Sequence, residues 1–225
     1  MSQRYHLIIL PLLLAWAWPA VAQHARMGRV GFKLGGCFAS YQGKDVYASS
    51  SSRGGYCGGG ILHLPVSHAF SIQPELLYSQ KGASSQSFVL SSSVIATGNQ
   101  RLAYAEVPVL AKLRSHVGVF FELGPTFSYL LSANAELRSP AIGQNSFDNR
   151  SSFKDLELGY AAGAGFQGAN GLMLGGRYTR GLTATFKAGA YRGIVGEPSI
   201  YNQAFQLYIG FIFFGRTQTT DLFEE

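Results

Sequence analysis

Phe153-Lys154-Asp155-Leu156-Glu157-Leu158-Gly159-Tyr160-Ala161-Ala162-Gly163-Ala164-Gly165-Phe166-Gln167 alternates with a period of two over its whole length. Leu156, Leu158, Tyr160, Ala162, Ala164 and Phe166 fall on one face. Asp155, Glu157, Gly159, Gly163, Gly165 and Gln167 fall on the other. Successive side chains of a strand point to opposite sides of its sheet, so this segment reads as a strand with one greasy face and one polar or vanishingly small face.

The same alternation recurs on either side. Upstream it runs through Arg29 to Tyr41, Gly55 to Val66, Ala69 to Gly82, Arg101 to Leu113 and Val117 to Ala133; downstream it returns in Leu172 to Leu182 and Tyr201 to Gly215. The reading is therefore eight strands. Three connections are tight: Pro65-Val66-Ser67-His68, Arg114-Ser115-His116 and Gly168-Ala169-Asn170-Gly171. The other four, 42–54, 83–100, 134–152 and 183–200, are long and rich in Ser, Gly and Asn. Long and short alternate strictly. Nothing imposes that order on a soluble sandwich, whereas a barrel in an outer membrane has short periplasmic turns and long extracellular loops. The expected fold is all-β, an eight-stranded antiparallel up-and-down transmembrane barrel occupying residues 23–215, closed because no backbone group can be left unpaired in hydrocarbon. The larger apolar residues would face lipid and the other face would line the interior.

Composition agrees. The chain of 225 residues is 47% hydrophobic, 13% aromatic and only 13% charged, with 28 glycines. That much apolar surface excludes disorder. Beyond the N-terminus no run reaches the ~18–20 apolar residues of a spanning helix. The net charge of +6 is modest and scattered, and gives no basis for a nucleic-acid partner. Residues 1–22 read as a secretory signal, with Arg4, an apolar stretch from Leu7 to Trp18 and a small-x-small site at Ala20-Val21-Ala22. Cleavage near Ala22 would send the protein to the bacterial outer membrane and remove both tryptophans.

Several segments resemble the PorT-like outer-membrane β-barrel domain family. Phe70-Ser71-Ile72-Gln73-Pro74-Glu75-Leu76-Leu77-Tyr78-Ser79-Gln80-Lys81-Gly82 is similar to its third-strand motif, and Tyr104-Ala105-Glu106-Val107-Pro108-Val109-Leu110-Ala111-Lys112 to its fourth. Gly124-Pro125, Arg177-Tyr178 and the aromatic last strand also match, so the resemblance covers nearly all of residues 28–215. It implies a small Gram-negative outer-membrane barrel, for most members without a defined biochemical activity. One member takes part in protein secretion and gliding-type export, which would make an accessory role in transport machinery a family implication. The tail Arg216 to Glu225 departs from the pattern, since members often stop at the final aromatic strand; this bears on how the barrel-assembly machinery reads the C-terminus.

Inside such a barrel the charged residues form the main constellation. Lys33, Glu75, Glu106, Lys112, Glu122 and Arg177 share the interior parity. A catalytic carboxylate pair or an ion path is one reading. The preferred one is a structural salt-bridge network, because a Lys or Arg on the lipid face near the midplane costs ~2–4 kcal/mol, and an eight-stranded interior is just wide enough for side chains to fill. Phe120, Leu130, Tyr104 and Tyr208 on the same face point to a filled lumen. Pro74, Pro108 and Pro125 are expected at bulges or near the ends of paired regions.

Cys37 and Cys57 have the interior parity of the first two strands and form a disulfide candidate for an oxidising compartment. Pairing Tyr41 with Gly55 would set residue 37 opposite residue 59, so the bridge requires a shift of two, for instance by a bulge. Tyr41, Tyr56, Tyr78, Tyr104, Tyr129, Tyr178 and Tyr201 fit interfacial girdles. His24, His63, His68 and His116 build no site, and no HExxH, paired CxxC or GxSxG motif is present. No catalytic residue, metal ligand or cofactor is therefore assigned. The functional expectation is a non-enzymatic outer-membrane barrel with a structural or interaction role, its partners being outer-membrane lipid, the barrel-assembly machinery and a protein or surface ligand at the long loops. The competing readings are a small channel or transport accessory, a lipid-modifying membrane enzyme, and a soluble lipocalin-like or sandwich domain with the apolar face inside.

Overall fold

The computed structural model describes residues 28–46, 51–91, 94–139, 143–190 and 196–213. The signal at 1–22 and the tail at 216–225 lie outside the described residues. The described residues form nine strands: β1 (Arg29–Gln42), β2 (Ser51–Pro65), β3 (Phe70–Ser91), β4 (Val94–Arg114), β5 (Val119–Ser139), β6 (Gly143–Asp148), β7 (Leu156–Gln167), β8 (Leu172–Gly181) and β9 (Tyr201–Ile212). All pairings are antiparallel, each wall strand pairs its neighbours in the order β1-β2-β3-β4-β5-β7-β8-β9, and β9 pairs back to β1. The wall is thus a closed eight-stranded barrel. The ninth strand, β6, sits outside the ring as a hairpin partner for the upper part of β5.

Orientation is decided by which alternate residues are covered. Leu76 and Phe121 are 64% and 63% exposed, whereas their chain neighbours Glu75 and Glu122 are each 3% exposed. Along the wall, Leu, Phe, Ile and Val point out while Lys33, Glu106, Lys112 and Arg177 are buried in the lumen. A soluble sandwich or lipocalin would reverse both sets, so that reading is overturned. An apolar wall with a charged interior is the arrangement that a bilayer dictates.

Three strands are longer than their alternation suggests. β3, β4 and β5 have 22, 21 and 21 residues, about twice the ~9–11 needed to cross the hydrocarbon. Most of the expected 83–100 loop is therefore hairpin, with β3 and β4 pairing as far as Ser91 and Val94. The polar Ser, Gln and Asn content that suggested a loop marks strand that has left the membrane. Register irregularities occur at Ser52/Cys57, Ala83/Gln86, Val89/Ser91 and Ala103/Tyr104, and none coincides with a proline. Pro74 and Pro108 instead stand in register opposite Val109 and Thr126. The ladder lapses for two residues beside each and resumes unshifted, between Pro74 and Leu77 and between Pro108 and Ala111. Pro125 lies opposite Tyr160 in an unbroken run of pairs.

The half of the barrel bearing the long connections contains an apolar core that the loop composition conceals. Tyr41, Ala83, Leu102, Tyr104, Leu130 and Ala133 from the wall pack with Phe153, Phe186 and Ile200 from the connections. Phe153 follows a short 3-10 turn at Arg150–Ser152 and bridges Phe186 in antiparallel fashion. The Lys154 amide donates to the Thr185 carbonyl and the Lys187 amide to the Ser152 carbonyl, each at 3.0 Å. These segments form a cap over the mouth. Tyr41 and Tyr104, expected in a girdle, point inward into this core and are 6% and 1% exposed. Tyr56, Tyr78 and Tyr129 do point outward, and Tyr56 stacks on Tyr78 with ring centroids 5.6 Å apart.

Candidate functional site: the lumen

The lumen is furnished in two charged layers below the cap. In the lower layer the register sets Arg177 on β8, Glu75 on β3, Glu122 on β5 and Lys33 on β1 at the middle of the wall, all facing in. The Arg177 guanidinium grips Glu75 with two hydrogen bonds, Nη1 to Oε2 at 2.6 Å and Nη2 to Oε1 at 2.9 Å. Its Nε donates to Glu122 Oε1 at 2.7 Å. Lys33 Nζ adds a 2.7 Å ion pair to Glu75 Oε2. The Tyr208 hydroxyl donates to Glu122 Oε1 at 3.0 Å, and Lys33 sits 4.5 Å from the centroid of the Tyr208 ring. The planar fork of arginine suits this role because it meets two carboxylates with fixed geometry.

Lys112 joins this layer through neutral groups. Its ammonium donates to Gln73 Oε1 at 3.3 Å, lies 3.2 Å from the Met173 sulfur and stands 3.9 Å from the centroid of the Phe120 ring. Gln73 in turn donates to Glu75 Oε1 at 2.7 Å. Glu106 belongs elsewhere. It is part of the upper layer, where Lys81 Nζ lies 3.6 Å from Glu106 Oε2 and 3.0 Å from Glu157 Oε1. Asn202 donates to Glu157 Oε2 and to the Tyr104 hydroxyl.

Of the six charges expected to meet, Lys33, Glu75, Glu122 and Arg177 form one contiguous cluster, Lys112 reaches it through Gln73, and Glu106 does not join it. Lys81 and Glu157 are the members missed. Both were within reach of the alternation: Glu157 lies on the polar face of the segment that opened the reading, and Lys81 follows Glu75 and Ser79 on the inward parity of β3.

Small residues make the filling possible. A Cβ on Gly175 would lie 2.6 Å from the Tyr208 ring and hydroxyl, and one on Gly163 would lie 2.9 Å from Glu122 Oε1. Glycines on β7 and β8 thus leave the volume that Tyr208 and Glu122 occupy.

The expected disulfide is not formed. Cys37 and Cys57 are both free, buried thiols, packed with Ala39 and Ala204. The β1–β2 register pairs Cys37 with Gly55 and Gly35 with Cys57, so the two sulfurs sit diagonally. A bridge needs Cβ atoms ~3.5–4.5 Å apart, whereas diagonal neighbours stand ~7–8 Å apart. The connection between the strands is shorter than the expected 42–54, since β1 runs to Gln42 and β2 begins at Ser51, and the register lies four residues from the expected pairing of Tyr41 with Gly55. Among the described residues, no group of three or more His, Cys, Asp or Glu is placed to hold a metal ion.

A closed wall with greasy exterior and ionic interior defines an outer-membrane β-barrel. The chain belongs to the outer membrane protein beta-barrel domain family, whose model matches residues 3–187. Among solved structures it is similar to Neisserial surface protein A, at 10% identity over 82% of this chain and 97% of that one, with a TM-score of 0.50. It is also similar to Ail, the attachment invasion locus protein of Yersinia pestis, at 14% identity over 83% and 99% of the two chains, TM-score 0.47. Acinetobacter baumannii CarO matches at 12% identity over 80% and 97%, TM-score 0.40. At these identities the likeness is one of fold. No curated protein matches the sequence.

Proposed function

We propose that this protein is a sealed, non-enzymatic outer-membrane barrel of the PorT-like branch that works through its surfaces, offering its long extracellular loops to a protein or surface ligand. The observation that carries the reading is the stacking of three obstructions along one axis. Lys112 with Gln73 and Phe120 lies lowest, the Arg177 cluster crosses the middle, and the Phe153–Phe186–Ile200 cap fills the top. Filled in this way, the interior serves as a brace and the outer faces remain for function. The PorT-like assignment is supported by the work done by motif residues: Glu75 and Lys81 of the third-strand segment, and Glu106 and Lys112 of the fourth, all point inward and hold charges of opposite sign or polar partners.

An enzyme acting on lipid would need convergent polar groups on the outer wall. The wall does have an open recess of about 540 Å³, but it is lined by Leu34, Ala164, Leu174, Gly176, Leu207 and Ile209 among others. The one side-chain polar atom on that lining, the Tyr208 hydroxyl, is turned inward to Glu122. Signal cleavage near Ala22, delivery by the barrel-assembly machinery and an annulus of outer-membrane lipid complete the proposal. An accessory part in secretion would use the same outer faces. In planar bilayers the purified protein is expected to give no stable conductance steps; large, long-lived steps would overturn the sealed-lumen reading and favour a channel.

A further inference from the structure

The outer wall, apolar elsewhere, carries a polar ledge across four strands toward the end bearing the long connections. The register sets Tyr160 on β7 opposite Arg180 on β8, Arg180 opposite Gln203 on β9, and Gln203 opposite Ser40 on β1. All four side chains are half-buried and have the outward parity, whereas Thr179 and Gly181, on either side of Arg180, are buried. The ledge is braced from within. The Tyr178 hydroxyl donates to Gln203 Oε1 at 3.0 Å, the Gln203 amide donates to Ser40 Oγ at 2.9 Å, and the Tyr160 and Tyr178 rings meet with centroids 6.4 Å apart. Arg180 is its only charge, and among the described residues its side chain has no ion pair or hydrogen bond. The carboxylates of the adjoining segment, Asp155 and Glu157, are paired with Arg150 and Lys81. The greasy wall continues past the ledge, where Leu158 and Leu182 are 48% and 62% exposed. An arginine on such a wall is costly unless an anion meets it. On the same four strands, toward the short turns, lies the open recess of about 540 Å³ between Leu34, Ala164, Leu174, Gly176, Leu207 and Ile209. Arg180, Tyr178 and Gly176 are successive outward positions of β8, so ledge and recess are about 13 Å apart.

We propose that ledge and recess form one binding site for an anionic membrane lipid, with its phosphate held by Arg180 and an acyl chain lying in the recess. The ledge presents donors: the guanidinium fork, the Tyr160 hydroxyl, the second amide hydrogen of Gln203 and the Ser40 hydroxyl. A phosphate supplies only acceptors and a negative charge, and the planar fork of arginine matches its geometry. The recess is apolar and opens to the hydrocarbon, so what enters it from the membrane is a lipid tail or another protein's side chains. A second copy of this chain is disfavoured by charge. Glu75, Glu106, Glu122 and Glu157 of the wall strands are buried in the lumen, and Glu136 already pairs with Arg101. The site therefore selects one lipid from the annulus by its head group while the tail fixes where it sits. The proposal rests on the wall lying in a bilayer and is independent of the sealed-lumen and loop readings.

The test is native mass spectrometry of the protein purified from membranes into dodecyl maltoside and titrated with dioleoylphosphatidylglycerol or dioleoylphosphatidylcholine. One phosphatidylglycerol is expected to bind at least tenfold more tightly than phosphatidylcholine. Arg180→Gln should abolish that preference. Ala164→Phe, which fills the recess from the lipid side, should weaken phosphatidylglycerol binding at least fivefold. The faster migration of unboiled samples on SDS gels verifies that each variant is folded. Equal binding of the two lipids, or an undiminished preference in folded Arg180→Gln, would overturn the proposal. Full binding by folded Ala164→Phe would overturn the place given to the acyl chain. Displacement of the lipid by millimolar inorganic phosphate would overturn the lipid in favour of a small anion. A dimer that Ala164→Phe dissolves, with no lipid adduct on the parent, would make a second copy the occupant.

Discussion

Arg177 on β8 and Glu75 on β3 stand four strands apart in either direction around the ring, and two hydrogen bonds of 2.6 and 2.9 Å join them across its full width. The backbone ladder ties each wall strand only to its neighbours. This pair, extended to Glu122 and Lys33, is a cross-brace that resists ovalisation of the barrel. Buried ion pairs are not inherently more stabilising than a good apolar packing, but removing one partner leaves the other's charge uncompensated.

Arg177→Met therefore leaves Glu122 with the Tyr208 hydroxyl in place of a cation and Glu75 with Lys33 and Gln73 alone, and is expected to cost about 3–5 kcal/mol in reversible urea unfolding in lipid or detergent. Arg177→Lys retains the charge without the fork and should fall between the variant and the parent. A loss below ~1 kcal/mol for the methionine variant, the range of a solvent-exposed pair, would show that the brace is idle.

Gly175 and Tyr208 make a complementary pair. Added alone, the methyl of Gly175→Ala meets the Tyr208 ring and hydroxyl at 2.6 Å, and displacing that ring also strains its hydrogen bond to Glu122. A loss of about 1–3 kcal/mol is expected, as for other overpacked cores. In a Tyr208→Leu background the same methyl meets no ring, so the second substitution should cost much less than it does in the parent. Strict additivity in this double-mutant cycle would separate the two residues.

The strands, their orientation and most of the lumen charges were legible because a bilayer leaves alternation no freedom: a one-residue error exposes Lys33, Glu75 or Arg177 to hydrocarbon. Where that pressure ends, legibility ends with it. Above the membrane, β3 and β4 are as polar as a loop, and only pairing with each other reveals them as strand. Phe153, Phe186 and Ile200 gave a faint signal, being isolated large apolar residues in Ser- and Gly-rich connections, but nothing local states that they converge. Register was the other gap. Parity put Cys37 and Cys57 on the same face, yet which residue stands opposite which depends on the exact length of a connection, and a shift of two preserves parity while changing every partner.

The cysteines make that register measurable. With Cys37 opposite Gly55 and both sulfurs buried, the folded, unreduced protein should resist a membrane-impermeant maleimide and take up two labels once denatured. Reductant should leave the gel mobility of the denatured chain unchanged. Absence of labelling after denaturation without reductant would instead establish a disulfide and require β1 and β2 to slide by two residues relative to each other.

The cap and the wall are separable units, and Phe153 tests this. Its ring is fully buried and lies 4.5 Å, centroid to centroid, from Phe186, which in turn meets Tyr41 edge-on at 5.8 Å. Phe153→Ala removes a buried aromatic side chain, a change worth about 3–5 kcal/mol in a core that does not collapse. The loss should be confined to the loops, since the wall ladder from β1 to β9 makes no use of that ring and local openings follow cooperative units. Amide exchange at Lys154, Thr185 and Lys187, whose hydrogen bonds tie the cap together, should accelerate strongly, and added protease should nick residues 149–155 or 183–190 sooner. The unboiled gel mobility of the barrel should not change. If unboiled mobility is lost along with loop protection, the cap is not a lid on a finished barrel but a part of what holds the wall closed.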